Sequence, residues 1–258
     1  MGVSERVLPT LTAERRAAIA QMVLRRGAAR VAALAERFGV DASTIRRDLM
    51  ALEAAGDIER VHGGAVAAEG ATAERTDAPS GCQESRVGRA TAEMVEDGET
   101  VFLGSGRLSL EVARCLGARS RLTIVTNGLE VAHWVAKNTS HTLILTGGQV
   151  EGNDLGLVGQ LARSALDNLR ADHVVLELGG VSAVGGLTED SLSQAEISRM
   201  LLEIGSQVVV LVPVDRVGQV AAVYVAPVSD ADVIVTGRES PSSFLWDLSE
   251  AGVRVVLA

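Results

Sequence analysis

Three groups of residues in the chain have types and spacing suited to chemistry. The first is Ser43-Thr44-Ile45-Arg46-Arg47-Asp48-Leu49. At helical spacing Ser43, Arg46, Arg47 and Met50 share one face, and Ile45, Leu49 and Leu52 share another. Short hydroxyls such as Ser43 and Thr44 suit phosphate oxygens, and guanidinium groups match the O6/N7 edge of guanine. A solvated face pairing Arg46 and Arg47 with Asp48 and Glu53 is the plain alternative. The second group is Gly104-Ser105-Gly106 with Arg107, together with Thr126-Asn127-Gly128. Each run follows an aliphatic segment and leads into a helical pattern, so backbone amides there can hold an anion. The third is Glu177 and the pair Glu189-Asp190, beside Gly-Gly loops, where a carboxylate could move a proton or attack an acyl group. Acids on solvated loops of an acidic protein are the simpler reading of these.

The elements that must position these residues change character along the chain. Helical patterns run from Leu11 to Arg26, from Val31 to Phe38 before Gly39, and from Asp41, an expected N-cap, to about Ala55 before Gly56. Helix, glycine turn, helix is a helix-turn-helix layout. Asp57–Val61 and Ala65–Ala67 flank Gly63-Gly64, which predicts a hairpin wing carrying Arg60 and His62. From Ala67 through Arg86 no Val, Ile, Leu, Met, Phe, Trp or Tyr occurs, so the segment 67–85 is expected to be a linker between domains at 8–66 and 86–258. Beyond it, aliphatic strands are predicted at Thr100–Leu103, Leu122–Val125, Thr142–Leu145, His173–Leu178, Gln207–Val212, Val233–Val235 and Val253–Leu257. Their alternation with helices indicates an α/β domain with a mostly parallel sheet covered on both faces.

Composition narrows the function classes. Residues 1–65 hold ten arginines against eight acids, a balance of +2 in a chain whose total is −9. Lys137 is the sole lysine, so positive charge is almost entirely guanidinium. Aromatic residues make up 2% of the 258, too few for a platform that stacks single-stranded bases. Cys82 and Cys115 have no C-x-x-C spacing, and a reduced, cytoplasmic protein is expected, with no membrane span. His62, His133, His141 and His173 have no ligand spacing, so no metal is expected. A dinucleotide fingerprint would need glycine where Ser109 stands, and no Gly-Lys-Ser/Thr occurs, so no cofactor is expected.

Taken in order, Leu34-Ala35-Glu36-Arg37-Phe38-Gly39-Val40, Thr44-Ile45-Arg46-Arg47-Asp48-Leu49 and Arg60-Val61-His62-Gly63-Gly64-Ala65 resemble the signature of the DeoR family of bacterial transcriptional regulators. Further segments continue the resemblance: Val101 to Gly106, Val125 to Gly128, Thr146-Gly147-Gly148, Leu157-Val158-Gly159, Gly186-Leu187-Thr188 and Asp215-Arg216-Val217-Gly218. The resemblance implies a small winged helix-turn-helix joined to a larger Rossmann-like sensor domain similar to ribose-5-phosphate isomerases and CoA transferases. It implies a repressor of a carbohydrate operon that binds double-stranded operator DNA as a dimer or tetramer and responds to a small metabolite, commonly a sugar phosphate. Ser43, Thr44, Arg46, Arg47, Arg60 and His62 would contact DNA, with other N-terminal arginines on phosphates. Gly104, Ser105, Gly106, Arg107, Thr126, Asn127, Gly147, Gly148, Arg199 and Arg216 would hold the effector. An isomerase-like or transferase-like enzyme is the alternative, and it would leave the arginine helix unexplained. The chain departs from the family's pattern at Gly104, Glu151, Ser198 and Pro213-Val214-Asp215-Arg216, which loses two cationic contacts and adds a carboxylate. An altered, less anionic effector, or a weakened response, is therefore expected.

Overall fold

The N-terminal apolar residues recur at helical spacing and close on one another. In the computed structural model, which describes residues 12–61, 63–67 and 83–258, they form α1 (Thr12–Arg26), β1 (Ala28–Arg30), α2 (Val31–Phe38), α3 (Ala42–Ala54), β2 (Ile58–Val61) and β3 (Gly64–Ala67). Ile19, Val23, Leu34, Phe38, Ile45, Leu49, Leu52 and Ile58 make the core beneath them. Gly39 ends α2 in the left-handed region at φ 63°, its amide reaching back to the carbonyls of Ala35 and Glu36. That turn, which a Cβ would strain, sends the chain into α3. The strands form an antiparallel sheet in the order β1-β3-β2, with Val61 opposite Gly64 at the wing turn. This is a winged helix-turn-helix. Asp41 occupies the expected N-cap position of α3, but its side chain makes no capping hydrogen bond; its backbone carbonyl accepts from Thr44 and Ile45 instead. The described residues divide into two units, 12–67 with 245–255, and 83–244 with 256–258.

The second unit runs through α4 (Gln83–Ala92), β4 (Thr100–Leu103), α5 (Arg107–Leu116), β5 (Thr123–Thr126), α6 (Leu129–Asn138) and β6 (Thr142–Leu145). A hairpin of β7 (Gln149–Glu151) and β8 (Gly156–Val158) follows, then α7 (Gln160–Leu166) and β9 (Ala171–Glu177). A small antiparallel sheet is built from β10 (Gly180–Ser182), β11 (Gly186–Glu189) and, after α8 (Leu192–Ile204) and β12 (Gly205–Val212), β13 (Val223–Ala226). The chain ends with β14 (Val233–Thr236), α9 (Ser242–Glu250) and β15 (Arg254–Leu257). α4 begins inside the segment expected to be a linker. Its first turn has no apolar face to announce it and is held by ion pairs instead, Glu84 with Arg107 at 2.8 Å and Arg86 with Glu239 at 2.9 Å.

The seven strands expected from aliphatic runs assemble into one sheet in the order β15-β14-β12-β9-β4-β5-β6. The pairings from β14 through β6 are parallel. Val101, Leu103, Ile124, Val175, Val209 and Leu211 belong to the apolar cluster that packs against α5 and α6. From β4 the chain proceeds outward through β5 and β6, then returns to place β9 on the other side of β4. The carboxyl ends of β4 and β9 therefore flank the point where the strand order reverses, the usual position of a ligand crevice in an open α/β sheet.

Candidate functional site

The DNA-facing candidates lie on α3. Ile45, Leu49 and Leu52 are buried, while Ser43, Arg46, Arg47 and Met50 are exposed, the division expected from helical spacing. Asp48 does not pair with the neighbouring arginines. It is buried, and accepts from Arg15 Nε at 2.6 Å and Arg16 Nε at 2.9 Å. Burial pushes its carboxyl up, but the two guanidinium groups outweigh this and hold it below its ordinary value. Glu53 turns to the wing, where it accepts from the Arg60 amide at 3.2 Å and faces the Arg60 guanidinium at 3.4 Å. Both acids are thereby occupied elsewhere, and among the described residues neither Arg46 nor Arg47 has an ion-pair partner. Thr44 is half-buried beside them. The other expected phosphate-holding arginines are partly committed: Arg15 and Arg16 to Asp48, and Arg30 to Asp247 at 2.7 Å. His62 lies outside the described residues.

In the second unit, a cavity of about 90 Å³ opens at the reversal point. The turn after β4 contributes Gly104 and Ser105, the turn after β5 contributes Asn127, and the β7–β8 hairpin contributes Asp154. Glu177 at the end of β9, Glu189 at the end of β11 with Asp190 just after it, and Gln194 on α8 complete the polar lining with Arg216. The hairpin is docked by the Asn127 turn: the Leu157 amide donates to the Asn127 carbonyl at 2.7 Å, and Asn127 Nδ2 donates to the Leu157 carbonyl at 3.2 Å. Asn127 is 7% exposed, and its Oδ1 has no hydrogen-bond partner among the described residues.

Glu177 and Glu189 are not solvated loop acids. Glu177 Oε2 accepts from the Leu108 amide in the first turn of α5 at 2.9 Å, with the Ser109 amide also bonded to the carboxylate. It thus caps the helix that Gly104-Ser105-Gly106 leads into. Gly106, at φ 120°, is the N-cap residue, and a Cβ there would run into that carboxylate. Glu189 accepts from Ser198 Oγ at 2.7 Å and from the Gly179 amide at 3.3 Å. Burial raises both carboxyls from 4.5 to about 7, against the hydrogen bonds that lower them.

Several expected effector residues lie elsewhere. Arg107 is exposed and paired with Glu84. Arg199 donates to the carbonyls of Tyr224 and Val225 on β13. Thr126 is buried and accepts from the Gly128 amide at 2.9 Å, and neither Gly147 nor Gly148 lines the cavity. Arg216 does line it, donating to the Gly179 carbonyl at 3.0 Å and standing 3.9 Å from Asp190. Glu151, the added carboxylate, accepts from Ser191 Oγ. Periodicity could not find Glu177 and Glu189, because their burial depends on loops distant in sequence. Their place at strand ends near Gly-Gly pairs is the available signal.

Comparison with known proteins agrees with both halves. The DeoR-like helix-turn-helix domain matches residues 15–70, and the DeoR C terminal sensor domain matches 82–238. The chain belongs to the DeoR family of transcriptional regulators: it is a DNA-binding regulator with a sensor domain, not an enzyme. The uncharacterized HTH-type transcriptional regulator YgbI of Escherichia coli K12 is 32% identical, over 89% of this chain and 91% of its own. The HTH-type transcriptional regulator GolR of Listeria innocua is 30% identical over 85% and 88%. The glycerol-3-phosphate regulon repressor of E. coli K12 is 28% identical over 95% and 98%. Among solved structures, ribose 5-phosphate isomerase A from Methanocaldococcus jannaschii aligns over 52% of this chain and 53% of its own, at 15% identity and a TM-score of 0.38. Among the described residues no helix is long and apolar enough to cross a membrane, and no cluster of three or more His, Cys, Asp or Glu could hold a metal ion.

Proposed function

We propose that the protein represses a carbohydrate-related operon and is released from its operator by a small metabolite bound in the cavity between the ends of β4 and β9. The observation that carries this reading is the unpaired Arg46/Arg47 face of α3, standing away from the core with Ser43 and Met50. Arg46 and Arg47 enter the major groove, Met50 lies against a thymine methyl, and Ser43 and Thr44 hold phosphates. Arg60 and His62 place the wing on the backbone. Residues 8–66 act as the reading head and 86–258 as the sensor, with 67–85 joining them.

The names of the relatives, among them a regulon repressor, support the repressor sense. One winged helix with a slight positive balance binds DNA weakly at physiological salt, so dimers or tetramers on repeated half-sites follow. Effector binding changes the population of DNA-competent oligomers, and the protein works in the cytoplasm.

The test is footprinting on the DNA that flanks its own gene. Repeated protected sites separated by about 10 base pairs or a multiple are expected for paired heads. No protection at low or moderate salt contradicts the reading.

A further inference from the structure

The cavity is unusual in its charge. Of its lining residues, Asp154, Glu177, Glu189 and Asp190 are acidic and Arg216 alone is basic. Arg216 donates to the Gly179 carbonyl and stands 3.9 Å from Asp190, which offsets part of its charge. Arg107 and Arg199, which could have balanced the acids, are held at Glu84 and β13. Ser198 stands on α8, where the helix could have presented a cation, and it uses its hydroxyl to hold Glu189. The amides at the start of α5, the natural cradle for an anion beside Gly104-Ser105-Gly106, already carry the Glu177 carboxylate. Meanwhile Asn127 Oδ1, buried in the cavity wall, accepts no hydrogen bond from the described residues.

We infer that the sensor cavity takes an uncharged, hydroxyl-rich ligand, an unphosphorylated sugar or polyol, and rejects its phosphate esters, because the Glu177 carboxylate occupies the amides that would otherwise hold the phosphate. This rests on the reading of the second unit as a metabolite sensor. Hydroxyls satisfy such walls in either protonation state: they donate to a carboxylate, and accept from a protonated carboxyl, Gln194 or Arg216. A phosphate entering here would lose its hydration shell to face four acidic side chains and a single cation, Arg216, which is already partly engaged by Gly179 and Asp190. Burial holds Glu177 and Glu189 nearer neutrality than surface acids, which spares a neutral ligand from facing two full charges and weakens the pull on a cationic one.

The experiment uses the full-length protein in calorimetric titrations with ribose, glucose, galactose and glucitol, each beside its terminal phosphate ester, with glucosamine and inorganic phosphate as further probes. At least one unphosphorylated member is expected to bind, about tenfold or more tighter than its ester. Inorganic phosphate is expected to leave the wild type unchanged and to stabilise Glu177→Ala on melting, because the vacated amides then accept it. Glu177→Gln, whose amide oxygen still accepts from Leu108, is expected to stay indifferent to phosphate, and Glu177→Ser replaces the alanine variant if that fails to fold.

An ester that binds more tightly than its parent, glucosamine that outcompetes glucose, silence from every unphosphorylated member, or vacated-cradle variants blind to phosphate would each overturn the inference. Operator binding measured in parallel separates the two levels. A protein that holds operator DNA and is released by a sugar phosphate keeps the regulator reading and loses this one, whereas a protein that binds no operator loses the regulator reading itself.

Discussion

The Leu108 amide donates to Glu177 Oε2 at 2.9 Å, so a side chain from the end of β9 caps the first turn of α5. One carboxylate thereby satisfies backbone donors that would be orphaned at a buried helix end, and it fixes the strand end against the turn that follows β4. The same contact fills the concave face that Gly106 creates. One side chain thus holds the end of β9 to the start of α5.

Gly106 is the residue that permits this contact. Its φ of 120° and ψ of 163° lie in a region that residues with a Cβ avoid, and a Cβ would strike the Glu177 carboxylate. Gly106→Ala is expected to destabilise the second unit by roughly 1–3 kcal/mol from backbone strain alone. Urea denaturation followed by circular dichroism checks this; an unchanged midpoint would mean that the turn relaxes without cost.

The two buried acids give stability a pH dependence of definite sign. Glu177 faces the Leu108 and Ser109 amides, Asp154 and Arg107; Glu189 faces Ser198, the Gly179 amide and Asp190. Each is raised by burial from 4.5 to about 7 in the folded state, so the native protein retains protons that the unfolded chain has released. Stability is therefore expected to be greatest below 4.5 as far as these groups are concerned, and to fall as pH rises from there through about 7. The change is on the order of 1–3 kcal/mol per group. Denaturation midpoints measured across that window in wild type and Glu177→Gln test it, with a flatter profile expected in the variant.

Asp48 works in the opposite sense. Its carboxyl, held below 3.8 by Arg15 and Arg16 against its burial, contributes stability that is present above that value and is lost as pH falls through its folded value. Asp48→Ala leaves two guanidinium groups facing a vacated buried site and is expected to cost about 2–4 kcal/mol in the winged helix. Thermal melting of the full chain at neutral pH measures it, and a variant that melts like wild type would show that α1 and α3 are held by their apolar contacts alone.

The reading head makes a separate prediction. Arg46→Ala is expected to cost about 1–3 kcal/mol of operator binding and to relax the base preference at one position. Titration of operator and random DNA with the same variant distinguishes roles: equal losses on both would place Arg46 on a phosphate.

How much of this was legible beforehand follows from the range of the forces involved. The α3 face could be read because Ile45, Leu49 and Leu52 repeat within one helix, and the seven sheet strands because each is a continuous aliphatic run. The three-residue strand Ala28–Arg30 could not, since it exists only through its pairing with β3. The start of α4 was hidden because ion pairs rather than an apolar stripe hold it. In the sensor, the turns after β4 and β5 bring Gly104, Ser105 and Asn127 to the cavity wall. Arg107 and Arg199 pair away from the cavity, because an arginine's partner is decided by tertiary contacts, here Glu84 and the carbonyls of β13. Glu177 looked like a loop acid because nothing local shows that the first turn of α5 will arrive beside it.

Regulation by this protein depends first on sequence-specific DNA binding through the arginine face of α3. This binding is tested most directly by selecting bound fragments from sheared DNA of the protein's own genome at moderate salt, with an Arg46→Ala/Arg47→Ala double variant alongside. A recurrent motif recovered by the wild type and lost by the variant is the predicted result; an identical set of fragments from both, or none enriched with or without the sugars named above, would contradict it.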